Sequence, residues 1–233
     1  MSDQPVATGA HPAVARTLAD AAEVAASRER VREALLGRER VVTQALAASF
    51  LAVAIACALF VHSPTPFSVW VAALLVACYA VLSQMEFEVG PGSAVPTELV
   101  LVPMLFAVPT GLVPLLVASG LVLGGVAERV RARRHAERVV VLLCSSWHSV
   151  GPALAVGLLA PGPPAWDELP VYVLAFAAQL ALDAASVVVR HAVGRKLRPS
   201  ALVRPLAWVA LVDAALAPMA LLVAVVAAER PVA

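Results

Sequence analysis

Long apolar runs constrain this chain more than any other feature. Five of them, 41–62 (VVTQALAASFLAVAIACALFVH), 67–84 (FSVWVAALLVACYAVLSQ), 138–160, 170–190 and 205–228, are candidate spans. Each is long enough to cross about 30 Å of hydrocarbon as a helix. Hydrophobic residues fill 61% of the 233 positions and charged ones only 14%, with a mean hydropathy of +0.87. A soluble fold of this length has no interior large enough for that apolar surface, so the excess faces lipid. The expected fold class is an all-α polytopic membrane bundle. Soluble enzymes and secreted disulfide scaffolds are disfavoured, and so is nucleic acid as a partner, since the net charge is only +1. Cys57, Cys78 and Cys144 lie far apart inside apolar runs and read as small buried hydrophobes.

A sixth apolar stretch, 99–127, is built differently. It reads LVLVPMLFAVPTGLVPLLVASGLVLGGVA, with Pro103, Pro109, Pro114 and a Pro-Thr-Gly turn signal at its middle. Proline removes a backbone donor and clashes one turn back, so this density breaks a helix repeatedly. The basic residues decide what the stretch does, because cytoplasmic flanks are enriched in Lys and Arg. Six lie in 1–40, five follow the stretch (Arg129, Arg131, Arg133, Arg134, Arg138) and five separate the last two spans (Arg190, Arg195, Lys196, Arg198, Arg204). A single crossing at 99–127 would split these groups between two sides. A re-entrant hairpin or pair of short broken helices, turning near Pro109–Gly111, leaves only Arg230 outside. Each arm is expected to be about 14 residues, or about 21 Å of helix. Non-helical backbone at such depth is tolerated only inside protein or along a cavity, which makes this the expected functional element. Gly120, Gly124 and Gly125 permit close helix approach and read against phosphate binding.

The resulting organisation is a cytoplasmic N-terminal segment, 1–40, a transmembrane domain, 41–228, and a short tail, 229–233. About forty hydrophilic residues precede the first apolar run, so a cleavable signal is not expected. Residues Pro12–Arg40 are rich in strong helix formers and read as a solvated cytoplasmic helix or as a dimerising or surface-lying one, hence a homodimer as one expected partner. Location is expected to be the cell membrane, multi-pass, with the N-terminus cytoplasmic. Trp166 suits the membrane interface and Trp147 reads as packed; Trp70 and Trp208 are ambiguous.

Ionisable residues inside spans mark function by default. His148 lies near the centre of 138–160, Asp183 lies in 170–190 with Gln179 one turn before it, and Asp213 lies in 205–228. Counted along the helices, all three fall within roughly 5 Å of one depth. They read either as a site for a proton, a cation or a basic group, or as interhelical hydrogen bonding with nothing bound. Together with Pro103, Pro109 and Pro114 they form the expected ligand site. Glu86, Glu88 and Glu98 bracket a Gly-Pro-Gly turn and read as a solvated interfacial loop or a gate. No catalytic, metal or cofactor motif is present, so an enzyme is not expected.

The segment FEVGPGSAVPTELVLVPMLFAVPTGLVPLLVASG, 87–120, resembles the N-terminal membrane region of actinobacterial signalling proteins with HD-type phosphohydrolase or diguanylate cyclase outputs. The matching positions are Phe87, Gly90, Pro96, Thr97, Leu99, Val100, Val102, Pro103 and Met104, and the lead-in ERVREALLGRERVV, 29–42, is similar in character. The resemblance implies a sensory membrane module with a signalling partner. It departs from that family in that no output domain follows, so a stand-alone relative, a fragment and a split system are all open. The expected function is sensory ligand binding in bacterial signal transduction, with a small molecule or lipid between the broken hairpin and the last three helices. The alternatives are a substrate-binding component of a small-molecule transporter and a structural membrane partner.

Overall fold

The computed structural model describes residues 37–85, 87–89, 92–132, 139–195 and 198–229. The expected N-terminal helix, apart from 37–40, and the tail from 230 lie outside them, as do Glu86, Gly90, Arg133, Arg134, Arg138 and Lys196. The described chain is a helical membrane bundle. Its helices are α1 (Gly37–Phe60), α2 (Val69–Leu82), α3 (Glu98–Ala107), α4 (Val113–Ala132), α5 (Val139–Ser145), α6 (Val150–Leu159), α7 (Leu169–Val188) and α8 (Pro199–Glu229). Four helical stretches have the length and composition to cross a bilayer: Gly37–Phe60, Val139–Leu159, Trp166–Gly194 and Pro199–Ala228. The expected span over 67–84 is shorter than foreseen, since α2 has only 14 residues. At 1.5 Å per residue that is about 21 Å of helix.

Prolines set most of the breaks. Val108, preceding Pro109, is extended (φ −133°, ψ 163°), the region to which a following proline drives a residue. Helix α3 therefore stops, and a 3₁₀ turn, Thr110–Leu112, leads into α4. Thr110 Oγ1 donates to the Leu105 carbonyl at 3.2 Å, satisfying one acceptor left over at the end of α3. Pro114 occupies the first turn of α4, where a missing N–H costs nothing. A second break divides α5 from α6. Pro152 cannot donate to the carbonyl of His148, and residues Ser146–Ser149 tighten into a 3₁₀ turn. Helix α7 ends in a π-helical turn, Val189–Gly194.

Two sets of contacts fix how the pieces alternate. At one end of the bundle, Glu39 of α1 pairs with Arg195 (Nε–Oε1 2.7 Å) after α7, and Cys144 of α5 bonds the Thr43 carbonyl. Gly125 of α4 abuts Leu142 at this end, and Gly124 abuts Ala80 of α2. At the other end the Cα of Gly111 lies against α1: a Cβ there would be 2.5 Å from the Cys57 carbonyl oxygen and 2.7 Å from that of Val61. Gly157, near the end of α6, adjoins Val61 and Thr110 at this same end. The turn between α3 and α4 thus sits opposite the Glu39–Arg195 end, and α4 returns to it. The arms differ in length from the sequence expectation, with 10 residues in α3 and 20 in α4. The first arm is completed by two short antiparallel strands, β1 (Phe87–Val89) and β2 (Gly92–Ala94), with Phe87 opposite Ala94. Strand β2 lies against α8, which gives this non-helical backbone a protein neighbour.

The main core gathers Tyr79, Leu101, Met104, Val108, Val113 and Val117 around the broken arms. A second cluster ties α1 to α5 and α6 through Phe50, Ala54 and Val150. Trp147 stacks edge-on against Phe50, with centroids 5.9 Å apart, and its Nε1 donates to the Leu46 carbonyl. Large apolar side chains cover the outside, among them Phe60, Trp70, Leu211 and Met219. Cys57 and Cys144 are buried as expected, whereas Cys78 is exposed on α2.

Candidate functional site

A cavity of about 190 Å³ lies between α3, α6, α7 and α8. Helical spacing builds its walls. On α7, Leu169, Tyr172, Val173, Phe176 and Gln179 recur every three or four residues along one stripe. Helix α3 adds Glu98, Val102, Leu105 and Phe106, and α8 adds Ala214, Ala217, Pro218 and Leu221. From Leu169 to Gln179 the stripe extends about 15 Å along α7. Leu169 is 46% and Val173 62% exposed, so the rim opens on the outer, lipid-facing surface of the bundle. Phe106 and Tyr172 meet edge-to-face at 5.6 Å. Tyr172 is held by the Ala165 N–H, which donates to its hydroxyl at 3.0 Å.

The inner end is polar. Glu98 is 2% exposed and Gln179 4%. Gln179 Nε2 donates to Glu98 Oε1, while Glu98 Oε2 is buried with no hydrogen-bond partner among the described residues. A solvated interfacial loop is therefore ruled out for Glu98. The reason is geometric: α3 starts at the depth of the middle of α7, with extended chain below it. Side chains of Glu86 and Glu88 lie outside the described set. Asp213 and Asp183 are within electrostatic reach of Glu98. No Lys, Arg or His among the described residues lines the cavity.

The residues expected from sequence are distributed unevenly about this cavity. Gln179 lines it; Asp213 stands next to the lining residue Ala214, and Asp183 one turn beyond Gln179. His148 does not face it. Its Nδ1 lies 2.6 Å from the Ser145 carbonyl, which accepts only from an N–H, and its Nε2 lies 2.9 Å from the Tyr79 hydroxyl. With Nδ1–H donating to the Ser145 carbonyl, Nε2 is left to pair with the Tyr79 hydroxyl. His148 is engaged between α2 and α5, and its partner Tyr79 is within electrostatic reach of Glu98, Asp213 and Asp183. Among the described residues, no group of three His, Cys, Asp or Glu side chains could hold a metal ion. Pro103, Pro109 and Pro114 shape α3 and its turn without lining the cavity, whereas Pro152 and Pro218 do line it. Pro218 cannot donate to the Ala214 carbonyl one turn earlier, so that acceptor loses its ordinary helix partner at the cavity wall.

Glu98 is the residue that sequence reasoning misplaced. One signal could have located it. A helix of ten residues from Glu98 to the break at Pro109 covers about 15 Å, half of the hydrocarbon. If the break sits at one face, the glutamate starts near mid-depth.

Set beside known proteins, the chain matches no family model, no curated protein and no solved structure. The chain is a helical membrane protein with an apolar crevice, open on the outer surface of the bundle and closed by a buried carboxyl–amide pair.

Proposed function

We propose that this protein is a ligand-binding membrane module of bacterial signal transduction. The crevice between the first arm of the broken segment and the last three long helices carries this reading. It is concave, almost wholly apolar and furnished with a few convergent polar groups, the usual form of a small-molecule site. Its position supports a sensory role. Helix α8 packs chiefly on α3 and less on α7, so an occupant wedged among them bears on the joint that holds α8. A ligand that prefers one spacing of α3 and α8 shifts the population toward it. The likeness of 87–120 to sensory membrane regions adds the signalling context, and the clustered arginines support a cytoplasmic N-terminus in the cell membrane.

The break at Pro109 favours one alternative, a substrate-binding subunit of a transporter, because broken helices at membrane depth are common in such proteins. Native mass spectrometry of protein extracted from its own membranes into nanodiscs tests the binding reading. The wild type is expected to carry a small apolar molecule that the Val102→Trp variant, with its crevice filled, has lost. A wild type carrying no such molecule overturns it. Ligand accumulation in reconstituted vesicles, once ATP-driven partner subunits are added, would replace sensing by transport.

A further inference from the structure

Among the described residues, the charged groups that line the crevice or act directly on its carboxyl are acidic. Glu98 closes its inner end, Asp213 and Asp183 are in electrostatic reach of that carboxyl, and no basic side chain among the described residues lines the walls; Arg190 acts on Asp183 and not on Glu98. Buried charges in proteins are paired, and buried polar atoms are hydrogen-bonded. Here one oxygen of Glu98 has its donor in Gln179, and Oε2, equally buried, has none among the described residues. A buried acceptor is thus left at the inner end without a donor among the described residues.

The rest of the crevice is the opposite in character. Phe106, Tyr172 and Phe176 stand along the way from the rim to Glu98. Its volume, about 190 Å³, exceeds the cavity of about 150 Å³ that holds benzene in an engineered protein core. The space accepts one ring or a short alkyl chain, not a whole phospholipid.

We infer that the crevice binds a small amine with an apolar body, the ammonium group donating to Glu98 Oε2 and the body lying along Phe106, Tyr172 and Phe176. The inference deepens the binding reading above and rests on it. A protonated primary or secondary amine supplies both a missing donor and a positive charge. Quaternary ammonium supplies only the charge, an alcohol only the donor, and a fatty carboxylate brings neither, adding further acceptors. The selectivity order is amine above alcohol, with the carboxylate excluded.

The test uses the full chain in nanodiscs and three probes of equal chain length, octylamine, octanol and octanoate, with empty nanodiscs subtracted. Saturable binding is followed by intrinsic tryptophan fluorescence and by calorimetry. Octylamine is expected to bind at least about tenfold more tightly than octanol, the range for hydrogen bonds to charged groups, and octanoate not to bind. Glu98→Gln should abolish the preference for octylamine over octanol, and Asp213→Asn should reduce that preference in part. Equal binding of octylamine and octanol to the wild type, a measurement that needs no variant, overturns the amine and leaves the crevice standing. Binding of none of the probes overturns both readings. Retention of the amine preference in a folded Glu98→Gln protein overturns the assignment of its carboxyl.

Discussion

At the residue scale, two polar contacts inside the bundle have different work. The Tyr79–His148 hydrogen bond, 2.9 Å long, joins α2 to the start of the break between α5 and α6. With Nδ1–H donating to the Ser145 carbonyl, both ring nitrogens of His148 are engaged. Interhelical hydrogen bonds in membranes average about 0.6 kcal/mol in double-mutant cycles. Tyr79→Phe and His148→Ala, combined in such a cycle with unfolding in mixed micelles as the readout, should give a coupling of about 0.5–1.5 kcal/mol. A coupling of zero would remove the contact from the account of stability. The Glu98–Gln179 pair is different, because it leaves a buried acceptor over. The sequence exposes Gln179 plainly, as an amide inside an apolar span. Glu98 is hidden by its position, because a carboxylate just ahead of an apolar run ordinarily marks the water boundary. Only the depth at which α3 begins separates the two cases.

Among the elements, the broken segment 99–127 was the most legible. Its prolines and the Pro-Thr-Gly turn locate the break, and Val108 shows the backbone response that a following proline imposes. What periodicity could not give was the inequality of the arms. The strands β1 and β2 take up part of the first arm's path, and three-residue strands of mixed polarity carry no usable alternation. The turn itself rests on Gly111. A methyl group at that position would intrude on the Cys57 and Val61 carbonyl oxygens, and such overpacking costs about 1–3 kcal/mol. Gly111→Ala should therefore lower the melting temperature of the protein in detergent. Gly162→Ala, with nothing within 4 Å of its Cβ position, should leave it unchanged. Similar melting of both variants would mean that the turn does not press on α1.

For the whole molecule, alternation of the helices makes a prediction about sidedness. Thr65 and Gly162 follow the ends of α1 and α6, which meet at the α3–α4 turn, and Arg198 follows the opposite end of α7. Single cysteines at 65 and 162 in a cysteine-free background should react with a membrane-impermeant maleimide from one side of sealed vesicles. A cysteine at 198 should react only from the other. Labelling of 65 and 162 from different sides would require 99–127 to cross just once. The arginine distribution made this arrangement readable because charge asymmetry acts on whole loops and tolerates errors in helix ends. The place where four helices leave a gap was not readable in the same detail. It depends on side-chain volumes meeting across α3, α6, α7 and α8, which no single stretch of sequence contains.

Leu169 and Val173 stand open at the rim of the crevice. A solute arriving there comes out of hydrocarbon, where oily molecules are enriched over water, so the bilayer acts as its reservoir. Occupancy then follows the mole fraction of the solute in lipid, and doubling the lipid at fixed total solute halves it for a strongly partitioning compound. On the proposed binding reading, acyl chains of the surrounding lipids would compete for the same opening, and membrane composition would set the threshold at which the crevice fills.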